Sequence, residues 1–344
     1  MARIVVMDRE SSPEVDLRSD HARRQSGPQS APLSEMDLPL HRTYYPLGYS
    51  VEIITNETAV LEAAEESFGH IRFPREITPL QIRIGVSHGA STARLEEPAR
   101  RQYNHLYSLV ANRDNQALID MRAGISFVWL TQSALSNRLY FRNNFLEKTV
   151  YLLLGASAVT DIHAACVSRN GREILLCGDS GAGKSTLAYA CARAGFAYTS
   201  DDTSYLVNNS DEPRVIGHCH RVRFRPTATE IFPELVGRRL SPRMEGKPSI
   251  EVPVCELSVP HPSEQADIHS IVFLARMEGA ACRLIRLPDG TATYRLCRQL
   301  YSSGEIRAKH EKILKRFWST PAYELQYSGL SEAIEALDSL TREL

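Results

Sequence analysis

Gly178-Asp179-Ser180-Gly181-Ala182-Gly183-Lys184-Ser185-Thr186 meets the phosphate-binding pattern G-x-x-x-x-G-K-[ST] at every fixed position. Upstream, Glu173-Ile174-Leu175-Leu176-Cys177 is an apolar run of strand length, entered through the turn pair Asn170-Gly171. Downstream, Leu187, Ala190, Cys191 and Ala194 recur at helical spacing, and Gly195 stands where a helix end takes a left-handed residue. Strand, glycine loop and helix in this order predict an α/β nucleotide-binding domain. Glycines let backbone N–H groups turn inward around an anion, and the new helix presents its positive end to it. Lys184 adds a point charge for the β- and γ-phosphates, and the Ser185 hydroxyl is placed to ligate Mg²⁺. Thr186 reads as a helix-surface residue. The loop alone does not separate a kinase from an ATPase, a GTPase or a nucleotide-gated switch.

Two neighbours narrow the choice. Asp201-Asp202 follows the expected strand Phe196-Ala197-Tyr198-Thr199, and His163 lies on the strand-like run from Asp161 to Val167. A return strand one helix away should lie near the loop in a parallel sheet, bringing its terminal carboxylates to the nucleotide crevice. An aspartate there can hold Mg²⁺ or accept a proton from an attacking hydroxyl.

The run DIHAACVSRNGREILLCGDSGAGKSTLAYACARAGFAYTSDDTSYL, Asp161 to Leu206, resembles the catalytic core of the HPr kinase/phosphorylase family. That family's pattern is a His, a hairpin, the loop G-[DE]-S-G-x-G-K-S, a helix ending in Gly, and an Asp-Asp pair. The resemblance implies a P-loop, HPr-kinase-like domain that uses ATP and Mg²⁺ to phosphorylate a Ser hydroxyl on a protein or peptide. Carried over residue by residue, it makes His163, Lys184, Asp202 and, as a close second, Asp201 catalytic. Ser185 and Asp202 become metal ligands, and Gly178 to Thr186 the nucleotide-binding loop. The family's downstream Glu-Ile-Arg-Gly-x-Gly signature is absent, and His218-Cys219-His220-Arg221-Val222-Arg223-Phe224-Arg225-Pro226 fills its place. A second metal carboxylate is therefore open; Glu230 is the nearest acid, although Thr227 to Ile231 also reads as a helix start. HPr is disfavoured as substrate, and a ribosomal peptide precursor, as used by relatives that include lasso-peptide kinases, suits the unmatched N-terminal region. A small-molecule alcohol or amino-acid kinase and a non-catalytic nucleotide-binding regulator remain the alternatives.

With 344 residues, 43% of them hydrophobic, the chain can bury two cores. A formal net charge of −1 gives no electrostatic case for nucleic acid or a membrane surface. No apolar run reaches the roughly 18 residues that span a bilayer, and the start lacks a signal-peptide core. Seven cysteines without a C-x-x-C pair suit a reducing cytoplasm. Self-association is left open.

The expected organisation is a disordered tail over 1–40, a small, mostly β, α+β recognition domain over 41–135, a connecting helix over 136–154 and the P-loop domain over 155–344. In the small domain, strands are expected at Val51–Thr55, Gln81–Val86, His105–Val110, Gln116–Met121 and Ile125–Leu130, the last three as a meander. Asn56 reads as the cap of a helix carrying Val60, Leu61, Ala64 and Phe68. The connecting helix buries Phe145, Leu146, Thr149, Val150 and Leu153. Further on come a polar loop near Gly237 to Lys247, a strand Ile268–Leu274 and two late helices. The first, Glu305 to Phe317, sets Ile306, Ile313, Leu314 and Phe317 inward and leaves Arg307, Lys309, Lys312, Lys315 and Arg316 as a solvated basic face. Arg221, Arg223 and Arg225 alternate on one strand face that can meet substrate or phosphate, and His218-Cys219-His220 reads as structural rather than metal-binding.

Overall fold

The computed structural model describes residues 36–69, 75–88, 95–241, 248–257 and 263–342. The expected disordered tail falls outside these residues up to position 35, as does the polar loop over 242–247. The described residues from Leu38 onward form one compact mixed α/β unit.

The N-terminal part is a seven-stranded sheet in the order β1-β2-β3-β7-β6-β5-β4, formed by β1 (Leu40–Tyr44), β2 (Tyr49–Thr55), β3 (Arg75–Ser87), β4 (Ala99–Tyr103), β5 (Leu106–Val110), β6 (Gln116–Asp120) and β7 (Ile125–Thr131). Strict alternation in β2 buries Val51 and Ile53 under α1 (Thr58–Phe68), the crossover that makes β2 and β3 parallel. The expected meander is β5-β6-β7, and Asn112 Oδ1 and Asp120 Oδ1 accept backbone N–H groups in its two turns. β4 escaped the sequence reading because Ala-Arg-Arg-Gln-Tyr on an exposed edge carries no apolar period. Asn56 is not a cap: Glu57 occupies that position, and the Asn56 amide bridges both the N–H and the C=O of Val86, tying the helix entry to β3.

Short helices α2 (Gln132–Ser136) and α3 (Arg138–Phe141) lead into α4 (Glu147–Ser157), and Phe145, Leu146, Thr149, Val150 and Leu153 are all buried. One apolar core runs from the first sheet through these helices to Tyr205, Val207 and Ile216 of the second.

The second sheet has the order β11-β9-β10-β17-β13-β12-β8. Its members are β8 (Val159–Ile162), β9 (Ala164–Arg169), β10 (Arg172–Cys177), β11 (Ala197–Ser200), β12 (Ser204–Val207), β13 (Arg214–Gly217) and the long β17 (Gln265–Arg276). β14 (Arg221–Phe224), β15 (Leu240–Ser241) and β16 (Ser249–Pro253) make a small third sheet. β18 (Arg283–Arg286) and β19 (Ala322–Tyr327) extend the second sheet along β17. The sheet is mixed, which corrects the parallel arrangement expected around the loop. Asn170 and Gly171 both take positive φ, a two-residue hairpin turn that forces β9 antiparallel against β10. β11 therefore pairs with β9 instead of β10. It still runs in the direction of β10, so Asp201 and Asp202 leave the same sheet edge as the glycine loop.

Two further apolar cores lie against the second sheet, one built with α5 (Lys184–Arg193) and α8 (Leu330–Arg342), the other with α6 (Thr291–Arg298) and α7 (Gly304–Leu314). The two late helices expected are three; α6, opened by Gly290 at φ +79°, was hidden by its β-branched Thr291 and Thr293. α7 ends at Leu314 and continues as a 3₁₀ turn to Phe317. Ile313, Leu314 and Phe317 face inward as expected. The basic residues opposite are not simply solvated: Arg307 donates to the carbonyls of Cys297 and Leu300, Lys309 to those of Ala156 and Ser157, and Arg316 to those of Val207 and Asn208.

Candidate functional site

β10 delivers the chain to the glycine loop, and α5 begins at Lys184 with Gly183 as its left-handed cap residue at φ +94°. A Cβ on Gly183 would stand 2.9 Å from the Tyr327 hydroxyl, which donates to Ala182 O at 3.2 Å. At the loop's start, a Cβ on Gly178 would meet that of Ala182 at 2.9 Å. The Tyr327 side chain of β19 thus closes one side of the loop, and glycine suits both ends, at Gly183 for its positive φ and this contact and at Gly178 for the close approach of Ala182.

Lys184 is buried, and its ammonium uses all three donors: to Gly178 O at 2.8 Å, Asp179 O at 3.2 Å and His163 Nε2 at 3.0 Å. An ammonium cannot accept, so His163 Nε2 accepts, and the ring proton of the neutral imidazole is assigned to Nδ1. That nitrogen faces Asp202, whose Oδ1 lies 3.5 Å away. The electrostatics agree: burial, then the Lys184 charge, pull the His163 pKa below its ordinary value against the opposing pull of Asp202. Burial likewise lowers Lys184.

His163 holds this place because it is the single residue between β8, paired with β12, and β9, paired with β10 and β11. The Ser204 hydroxyl of β12 pins the start of β9 through Ala164 O at 3.0 Å. His163 accordingly sits at a break between strands, not within the continuous strand expected from Asp161 to Val167.

The two aspartates part company. Asp201 is buried, its Oδ2 accepting the Arg223 N–H at 2.9 Å, and burial pushes its pKa up to about 6. Asp202 is half exposed beside His163. The Ser185 hydroxyl donates to Asp201 O at 3.1 Å, which sets it against the Asp201-Asp202 peptide. Asp179, Ser180 and Gly181 are exposed at the loop tip, and Thr186 is half-buried on α5.

The arginine triad also divides. Arg221 and Arg223 pair with Glu251 across the β14–β16 ladder at 3.7 and 2.6 Å, whereas Arg225 reaches Ser180 Oγ at 3.2 Å. Glu230 is exposed at the end of a 3₁₀ turn, Pro226–Glu230, instead of at a helix start. His218 packs edge-on against Tyr151 and Tyr205, each at 5.4 Å, and burial drives its pKa down to about 4. No group of three or more His, Cys, Asp or Glu able to hold a metal occurs among the described residues, and no helix among them is long and apolar enough to cross a membrane. Tyr327 was missed by the sequence reading; it lies 145 residues from the loop it contacts, with no motif around it.

No family model and no curated protein matches the chain. Among solved structures it is similar to the Hpr(Ser) kinase/phosphatase from Coxiella burnetii, with 12% sequence identity and a TM-score of 0.29, over 53% of this chain and 92% of that one.

Proposed function

We propose that the chain is an ATP-dependent phosphotransferase that moves a γ-phosphoryl group onto an alcohol, a Ser hydroxyl of a protein or peptide being the acceptor class. The observation that carries this reading is the contact of Lys184 with His163, and of His163 with Asp202, at the mouth of a loop with glycine at both ends. The loop fits a phosphate chain: it opens on the N-terminus of a ten-residue helix, and Lys184 is buried beside it as a fixed cation. Ser185 and Asp202 fit a Mg²⁺ ion, since both lie at the Asp201-Asp202 peptide and offer oxygen donors. When bound, Mg-ATP supplies the transferable phosphoryl group and a metal that offsets its charge.

In this reading Asp202 accepts the hydroxyl proton, and His163, neutral and held by Lys184 on one nitrogen, orients that carboxylate through the other. Asp201 supports the fold and the position of Ser185 without touching substrate. Tyr327 and the glycines hold the loop in shape, so that its amides need no reorganisation at the moment of transfer.

The test is transfer of labelled γ-phosphate from ATP with Mg²⁺, comparing wild type with Lys184→Ala against peptides, free amino acids and metabolite pools. Label on a discrete peptide or protein, lost in the variant, supports the proposal. Label on a free metabolite alone moves the acceptor class to small alcohols. Nucleotide binding without transfer to any acceptor overturns the enzymatic reading in favour of a nucleotide-gated regulator.

A further inference from the structure

Arg225 is an arginine at the rim of the glycine loop whose charge meets no counter-charge among the described residues. Its alternate neighbours on the same strand face, Arg221 and Arg223, are both pinned by Glu251. Arg225 has no carboxylate partner among the described residues, and the bond it makes is from Nη2 to the neutral hydroxyl of Ser180, at 3.2 Å. A guanidinium carries five donors in a planar fork suited to phosphate oxygens, and one bond to a hydroxyl leaves most of that capacity open.

The side chain is also aimed. The following Pro226 restricts Arg225 to extended backbone, here φ −71° and ψ 153°. One residue earlier, buried Phe224 packs edge-on against Tyr189 of α5 at 5.0 Å and lies 5.9 Å from Phe232, so β14 is keyed to the helix that follows the loop. The arginine is therefore launched from a fixed point towards the loop tip.

We infer that Arg225 is a catalytic residue that contacts the outermost phosphoryl group of a bound nucleoside triphosphate. The inference rests on the phosphotransferase reading above. As the bond between the acceptor oxygen and the γ-phosphorus forms and the bond to the β,γ-bridging oxygen breaks, the electron pair leaves with the diphosphate and the hydroxyl proton goes to Asp202. Arg225 exchanges nothing in this step; its charge offsets that on the equatorial and leaving oxygens.

The experiment compares the affinities of ADP and a non-hydrolysable ATP analogue, by fluorescence of labelled nucleotides, for wild type, Arg225→Ala and Arg225→Lys, with thermal melts as the check on folding. Expected is a loss of analogue affinity by roughly tenfold in Arg225→Ala with ADP affinity kept within about twofold, an intermediate effect in Arg225→Lys, and kcat down by roughly 10²–10³-fold. Parallel loss of both nucleotides would assign Arg225 the lesser job of holding Ser180 and overturn the inference, as would no change in either. A wild-type chain that binds neither nucleotide overturns the phosphate reading itself and this inference with it.

Discussion

Asp201 Oδ2 accepts the backbone N–H of Arg223 at 2.9 Å, which ties the first carboxylate of the Asp-Asp pair to β14. Its folded pKa, about 6, lies above the ordinary carboxylate value because burial disfavours the charge. The sign follows: the stability tied to this group is fully present below pH 3.8 and is lost as pH rises through about 6. Asp201→Asn removes the titration while keeping an acceptor for Arg223. Urea denaturation at several pH values between 4 and 7.5 should show wild type losing stability relative to the variant, on the order of 2–3 kcal/mol across the range. Curves that stay parallel would refute the assignment.

Asp202 predicts the opposite signature. It is half exposed and faces His163, so Asp202→Asn should leave the melting temperature nearly unchanged while phosphoryl transfer falls by roughly 10²–10⁴-fold, the worth of a positioned general base. Transfer that persists at the wild-type rate would remove Asp202 from the chemistry.

His163 should stay neutral at a pH where an unperturbed histidine is half charged, because burial and Lys184 both lower its pKa. A depressed histidine pKa means the associated stability is present above pH 6.5 and is lost as pH falls through the folded value. Protonated Nε2 could no longer accept from Lys184, and the two cations would separate. Nitrogen-15 NMR of the ring should show Nδ1 protonated at neutral pH and a midpoint below 6.5, with nucleotide binding declining in parallel. A midpoint at or above 6.5 contradicts the arrangement.

The loop, its strand and its helix were legible because their requirements are local: a pattern of glycines, a terminal Gly195 at φ +97° and a helical period within about twenty residues. So was the meander, whose Asn112 and Asp120 turns are local chemistry. What escaped depended on partners distant in sequence. Asn56 could not be known to prefer Val86 over a helix terminus, nor Tyr327 to reach Ala182. The Asn170-Gly171 hairpin was visible, but its consequence, that β9 would separate β10 from β11, is a property of the whole sheet. The difference between Asp201 and Asp202 was equally invisible, because it is set by Arg223 of β14 and by His163 between β8 and β9.

Gly183 combines φ +94° with a Cβ position 2.9 Å from the Tyr327 hydroxyl. Gly183→Ala should therefore cost roughly 1–3 kcal/mol in stability and weaken nucleotide binding at least about tenfold, since the strain falls on the residue that caps α5. Tyr327→Phe keeps the ring and loses only the bond to Ala182 O, for an expected cost of about 1 kcal/mol. If Tyr327→Phe restores binding in the Gly183→Ala background, the hydroxyl is the obstacle; if not, the backbone dihedral is.

Lys309 of α7 donates to Ala156 O and Ser157 O, two of the terminal carbonyls of α4, while buried His310 donates from Nε2 to Gly155 O at 2.8 Å. These cationic and neutral donors satisfy a helix C-terminus that runs straight into β8 and so to His163. Lys312, exposed on the same helix, makes no such contact, which makes it the control. Lys309→Ala should lower stability by about 1 kcal/mol, with Lys312→Ala close to zero. Hydrogen exchange then separates two roles for the latch. Faster exchange confined to the last turn of α4 makes it local, whereas faster exchange extending along β8 would place α7 in mechanical contact with the His163 junction and predict a matching rise in the nucleotide dissociation constant.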